Sequence, residues 1–227
     1  MQINLKLFVV QSIGFLVILA LVLFLPAGTL TWSAGWIYLA LFLGFYLGVN
    51  AWLFRHDPDL LQERLSLRKP DQKGWDKVIF PLFLLFPFVW LAFISFDAAR
   101  FHWSPVSLGL QAVGALILLC SFYLFFLTFR ENSYLSTVVR IQAERGHRVV
   151  STGPYHYVRH PMYAAFLPFM IGTPLLLGSW YGVLFGLVFV IVLAQRAVLE
   201  ERTLQKELPG YDLYMRQVKY RLIPYIW

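Results

Sequence analysis

The chain has 227 residues, 59% of them hydrophobic, 18% aromatic and only 14% charged, with a mean hydropathy of +0.64 and a formal net charge of +7. Soluble domains carry roughly a quarter charged residues, so this composition excludes a water-soluble globule and fits one domain of several membrane spans. The basic residues fall between apolar runs, where they set topology and meet anionic head groups, which argues against nucleic acid as a partner.

The first apolar run, 7–25, follows Lys6 and imitates a signal peptide. It is too long for an h-region and no small-x-small cleavage site follows it, so it reads as a retained transmembrane helix. Runs 34–54, 78–96 and 106–129 are each long enough to cross a hydrocarbon core of about 20 helical residues. The loop at 55–77 predicts a short amphipathic helix built on Leu60, Leu61, Arg64, Leu65 and Leu67, broken at Lys69-Pro70-Asp71, with Trp75 as an interfacial anchor. That helix either positions the third span or forms the rim of a substrate entrance. Cys120, the lone cysteine, falls inside the fourth run and is expected to pack as a small buried hydrophobe.

A fifth apolar block, 162–195, contains Pro168, Pro174 and Gly178-Ser179-Trp180. Prolines interrupt membrane helices, so this block predicts a hairpin of two short or kinked helices. Gly44-x-x-x-Gly48 and Gly182-x-x-x-Gly186 are taken as helix-packing positions. The expected fold is all-α: a polytopic helical bundle of about five to six membrane segments with a C-terminal hairpin and a cytoplasmic tail. Residues 1–135 form N-terminal transmembrane helices and 136–227 a unit that carries the chemistry. Every lysine and arginine except Arg100 falls in the leading segment, the 55–77 loop, the loop after the fourth span or the tail. The positive-inside rule then puts both termini in the cytoplasm. The membrane is the inner one in a prokaryote and the endoplasmic reticulum in a eukaryote; no prenylation or retrieval signal stands at 224–227.

The stretch Gly153-Pro154-Tyr155-His156-Tyr157-Val158-Arg159-His160-Pro161-Met162-Tyr163 concentrates phenols, imidazoles and a guanidinium beside an apolar block. Pro161 suits the first turn of a helix, whose free N–H groups, with Arg159 and His160, suit an anionic carboxylate. In the tail, Arg196 and Glu200 share a helix face at i, i+4 and can point into one cavity, where a carboxylate suits an amine or ribose hydroxyls. No glycine-rich nucleotide loop, metal-ligand spacing or nucleophile elbow is present. No histidine lies mid-span, which disfavours b-type haem, and no metal is expected.

Gly153-Pro154-Tyr155-x-x-x-Arg159-His160-Pro161-x-Tyr163, an apolar hairpin, Glu200-Glu201 and a Tyr-rich tail together resemble the isoprenylcysteine carboxyl methyltransferase family, related to the phospholipid methyltransferases. The resemblance is strong from about Ser136 to Trp227. It implies a methyltransferase core at 136–227 that uses S-adenosylmethionine. It also implies a cofactor pocket lined by His147, Arg148, Val149, Val150, Tyr155, Arg159, His160, Pro161 and Tyr163, with Gln142 or Arg140 as a further polar contact. The acidic cofactor ligand falls on Glu200 or Glu201, and Arg196 falls on the substrate-facing arginine, so Arg196 and Glu200 carry the catalytic expectation. The implied partner is a lipid or prenylated acceptor in the membrane, with no obligate protein partner. Other readings are methylation of a phospholipid amine, a sterol-reductase-like enzyme using NADPH, and a lipid-binding scaffold without activity.

Overall fold

The structure is a computed structural model and describes residues 4–65, 69 and 71–227. Leu67 and Pro70, assigned above to the amphipathic helix and its break, lie outside the described residues. The elements run α1 (Leu5–Ala27), α2 (Ser33–His56), α3 (Pro58–Leu65), α4 (Gly74–Ser95), α5 (Leu108–Glu131), α6 (Pro161–Leu177), α7 (Trp180–Glu207) and α8 (Tyr211–Gln217). A π-helical turn, Phe96–Phe101, extends α4. Short 3-10 turns at Ala143–Arg145 and Gly153–His156 punctuate the long loop before α6. Among the described residues the chain forms no sheet.

The apolar composition makes helices because a chain in lipid must satisfy its backbone polar groups internally. Five helices are long and apolar enough to cross a membrane: α1, α2, α4 with its π-turn, α5 and α7. Between them stands the shorter apolar α6. The protein is a polytopic helical membrane protein. The outer faces of the spans carry exposed Val10, Val17, Leu85, Leu116, Leu184 and Ile191, as lipid contact requires.

The hairpin departs from expectation. α6 is short, but α7 is a single 28-residue helix that runs through Glu200 and Glu201 to Glu207. Its second half is made of good helix formers, so the charged residues end the apolar run without ending the helix. Pro168 and Pro174 are both accommodated within α6. Cys120 is exposed on the outside of α5, not packed.

The core runs along the bundle axis through Leu23, Tyr38, Trp90, Leu118, Met170 and Leu193. The Trp90 indole N–H donates to the Gly182 carbonyl at 2.8 Å, joining α4 to α7. α5 and α6 approach backbone to backbone. A Cβ on Gly114 would sit 2.5 Å from the Leu176 nitrogen, and one on Gly172 would sit 2.6 Å from the Leu118 nitrogen. Gly182 and Gly186 are filled by Ile94, Pro174, Trp90 and Met170, as a packing role requires. Gly44 and Gly48 have nothing within 4 Å and pack against no other part of the chain, contrary to expectation.

One end of the bundle gathers the start of α1, α3, the start of α4, the 132–160 loop, the end of α7 and the tail. The Gln62 side chain accepts from the Asn4 backbone N–H at 3.3 Å. Lys73 reaches Glu207 at 2.6 Å, and the Arg159 N–H donates to the Tyr220 carbonyl at 2.9 Å. The opposite end is tied by buried Asp97, which accepts from the Ser104 backbone N–H and from the Ser104 and Ser179 hydroxyls. Arg100 is at that end, beside Gly28.

Candidate active site

The charged end holds a cavity of about 310 Å³, at the lower edge of the range of about 300–1,000 Å³ typical of small-molecule sites. Its walls come from α4, the 132–152 loop, the motif, α7 and α8.

Pro161 opens α6 at its first position, as its fixed φ and missing N–H predict. The preceding motif is pinned to the tail, because the Arg159 and His160 backbone N–H groups donate to the Tyr220 and Arg221 carbonyls at 2.9 Å each. Arg159 continues this with its side chain, donating to Glu201 at 2.6 Å and to the Val218 and Lys219 carbonyls at 2.8 and 2.9 Å. His160 Nε2 is 3.2 Å from the same Glu201 oxygen, and Arg221 reaches the other oxygen at 2.7 Å. Glu201 is therefore the centre of a buried charge cluster and does not line the cavity. Arg159 and His160 border the cavity with their polar ends committed to that cluster.

Its neighbour Glu200 has the opposite setting. It lines the cavity and accepts from the Tyr163 hydroxyl at 2.7 Å. Arg196, one turn earlier, also lines the cavity. Its Nε donates to Asp76 at 3.0 Å and its Nη2 to the Thr137 carbonyl at 3.0 Å. The guanidinium lies 4.6 Å over the Phe83 ring and 5.9 Å from that of Tyr163. The structure thus brings Arg196 and Glu200 to one cavity on separate partners.

The remaining expected residues divide. His147, Arg148, Val149, Val150, Tyr155, Pro161 and Tyr163 line the cavity. Gln142 does not. It is fully buried, donating to the Tyr134 carbonyl at 2.7 Å and accepting from Arg145 at 2.6 Å, so it braces the loop from behind. His147 stacks on Tyr134 at 4.5 Å and its Nδ1 accepts from the Gln142 N–H. Burial, with the Arg145 and Arg140 charges, lowers its pKa to about 4 and keeps the ring neutral.

Sequence reasoning passed over Asp76, Asn132, Thr137, Tyr211 and Tyr214. Tyr155, Leu208, Tyr211, Tyr214 and Val218 form a separate apolar cluster, with Val149 and Val150 packed against it. Asn132 donates to the Tyr155 hydroxyl at 2.8 Å, and the Tyr214 hydroxyl donates to the Tyr155 carbonyl at 2.7 Å. Burial raises the pKa of all three phenols, so they stay neutral donors with electron-rich faces. Two hydroxyls on the wall, Thr137 Oγ1 and Tyr211 Oη, are buried without a hydrogen-bond partner. The tyrosine spacing in the tail was a visible signal; the Asp76 partnership was not.

Residues 110–209, which supply α6, α7, the motif and most of this wall, match the family model described as phospholipid methyltransferase. That segment is similar to the phospholipid methyltransferases. A protein-S-isoprenylcysteine O-methyltransferase of Schizosaccharomyces pombe is 35% identical over 85 residues, 37% of this chain and 36% of the relative. The match thus spans about a third of the relative's length. Both findings agree with the resemblance carried by the motif and the paired glutamates.

Proposed function

We propose that this chain is an integral membrane methyltransferase that uses S-adenosylmethionine and acts on a lipid-like acceptor, with a carboxylate of the isoprenylcysteine type as the first candidate. The observation that carries the reading is Glu200 and Arg196, opposite charges one turn apart, facing one cavity between an aromatic wall and an apolar one. The cofactor fits the donors present. Glu200 for its ammonium and Arg148 for its carboxylate both line the cavity, beside the Tyr155, Tyr211 and Tyr214 rings.

When bound, S-adenosylmethionine supplies an electrophilic methyl group on a sulfonium. Glu200 holds the ammonium or the ribose hydroxyls. The faces of Tyr155, Tyr211 and Tyr214 suit an adenine ring and a cationic sulfur. With Arg159 committed to Glu201, Arg148 at the cavity wall and the free N–H groups of the first turn of α6 remain for the cofactor carboxylate. Arg196 has five N–H donors, of which the bonds to Asp76 and Thr137 use two. The others suit an acceptor carboxylate. Phe80, Phe83, Leu84 and Phe166 give an apolar bay for its lipid tail.

A carboxylate acceptor is already ionised at neutral pH, so no residue of the chain would have to remove a proton from it for methylation. The residues contribute alignment and exclusion of water. An amine acceptor must lose a proton; His160 is already held by Glu201, which leaves Glu200 and the neutral His147 on the cavity wall to take it. In this reading residues 136–227 carry the cofactor side and residues 1–135 supply much of the acceptor bay. The charged end, with both termini, faces the cytoplasm.

The test supplies radiolabelled S-adenosylmethionine with N-acetyl-S-farnesylcysteine, and separately with phosphatidylethanolamine vesicles. The expected product is the farnesylcysteine methyl ester. Transfer only to the amine lipid would move the assignment to N-methylation. Stabilisation by NADPH in place of S-adenosylmethionine would favour a reductase. No response to either cofactor would leave a lipid-binding scaffold.

A further inference from the structure

Arg196 and Glu200 stand four residues apart on α7, the spacing at which an arginine and a glutamate on one helix face attract each other. The structure sends each elsewhere. The guanidinium goes to Asp76 and the Thr137 carbonyl, and the glutamate accepts from Tyr163. Asp76 is wholly buried in the first turn of α4 and is not part of the cavity wall. Its second oxygen accepts from Gln72 at 2.9 Å and from the Val139 backbone N–H at 2.9 Å. The Val139 carbonyl in turn accepts from the Lys73 N–H at 3.1 Å. Asp76 thereby fastens three separate pieces, the start of α4, the 132–152 loop and α7, around one carboxylate with every oxygen occupied. Tyr163 touches both members of the α7 pair, with its hydroxyl on Glu200 and its ring facing Arg196.

A buried guanidinium that loses its carboxylate moves to the nearest other anion, since an unpaired buried charge is costly. For Arg196 that anion is Glu200. We propose that Asp76 is a positioning residue that holds the Arg196 guanidinium away from Glu200, leaving Glu200 free for the cationic amine of the cofactor. The same hold presents the remaining Arg196 donors to the acceptor. The inference rests on the methyltransferase reading above and assigns a role to a residue that touches neither ligand.

A double-mutant cycle on cofactor affinity tests it, using the full chain in detergent micelles and S-adenosylmethionine as the titrant. Asp76→Asn is expected to weaken binding roughly tenfold when Glu200 is present. In the Glu200→Gln background, where no carboxylate remains to capture Arg196, adding Asp76→Asn is expected to change the affinity less than about twofold. A role confined to holding the fold together gives the same loss in both backgrounds, and that additivity overturns the proposal. An unchanged affinity in Asp76→Asn overturns it as well. If Asp76→Asn is not recovered folded, Gln72→Met removes one support of the carboxylate and keeps its charge. That variant is expected to weaken binding about threefold, again only with Glu200 present; no loss or an additive loss overturns the proposal. Failure of the unmodified chain to bind S-adenosylmethionine strikes the methyltransferase reading itself, before any variant is compared.

Discussion

Adjacent glutamates on α7 are expected to fail in opposite ways when neutralised. Glu201 is 3% exposed and accepts from Arg159, Arg221 and His160. Arg159 is itself 7% exposed, so Glu201→Gln puts an amide NH2 against a buried guanidinium that keeps only the Val218 and Lys219 carbonyls. Breaking a buried pair from one side costs about 3–5 kcal/mol, which at about 2–4 °C per kcal/mol for a chain of this size lowers the unfolding temperature on the order of 10 °C. Glu200→Gln keeps an acceptor for the Tyr163 hydroxyl, so its stability cost stays within about 1 kcal/mol. Its loss falls on binding. A charge-assisted hydrogen bond is worth about 1.5–3 kcal/mol, or roughly 10–150-fold in the affinity for S-adenosylmethionine. Thermal unfolding followed by tryptophan fluorescence, with calorimetric titration of the cofactor, reads both numbers on each variant. Equal unfolding temperatures with binding lost only in Glu201→Gln would refute the division of roles.

His147 is held neutral by burial and by the neighbouring Arg145 and Arg140 charges, with its pKa lowered to about 4 from 6.5. Its contribution to stability is complete above the unfolded value and is lost as pH falls from about 6.5 through 4; His147→Gln should flatten the acid limb of the unfolding-temperature profile in that window, and an unchanged limb would exclude His147 as its source. Gly114→Val would force side-chain atoms into the α6 backbone, where even a Cβ meets Leu176 N at 2.5 Å and Leu175 Cβ at 2.7 Å. Overpacking costs typically about 1–3 kcal/mol, more against backbone, so a sharply lower unfolding temperature is expected, whereas Gly44→Val, with open space at its Cβ, should leave it nearly unchanged.

The spans and the place of the motif were legible because both depend on local signals. Long apolar runs need helices in lipid, and Pro161 marks a helix start whatever it packs against. The facing of a span was not legible. The fourth run is apolar on nearly every side, so no periodicity shows which face meets lipid, and Cys120 turned out exposed. The choice between Glu200 and Glu201 depended on which one meets Arg159, a residue 42 positions away. Helix geometry puts adjacent residues about 100° apart, so one must face the cluster when the other faces the cavity, but only the tail's docking decides which. Asp76 was read past because an acidic residue in a first helical turn has a local explanation in the helix dipole. Its long-range partners Val139 and Arg196 leave no trace in the local sequence. Gln142 matched the resemblance by position and still points into the loop that backs the cavity.

The motif's two most polar residues thus act on the fold before they act on any ligand. Arg159 and His160 clamp the tail through Glu201, and the tail carries Tyr211 and Tyr214, which form a cavity wall. A ligand that contacts this wall binds only when the tail is docked, so binding and docking must be linked. At a cofactor concentration of 100 Kd the linkage is worth about 2.7 kcal/mol, which lowers the population of the undocked tail roughly 100-fold. Amide exchange over residues 211–222 should therefore slow on addition of S-adenosylmethionine, while exchange at the far end, around Asp97 and Ser179, should not. Equal slowing at both ends would mean that the ligand stabilises the bundle as one unit. No slowing at the tail would mean that the aromatic wall lies outside the binding site.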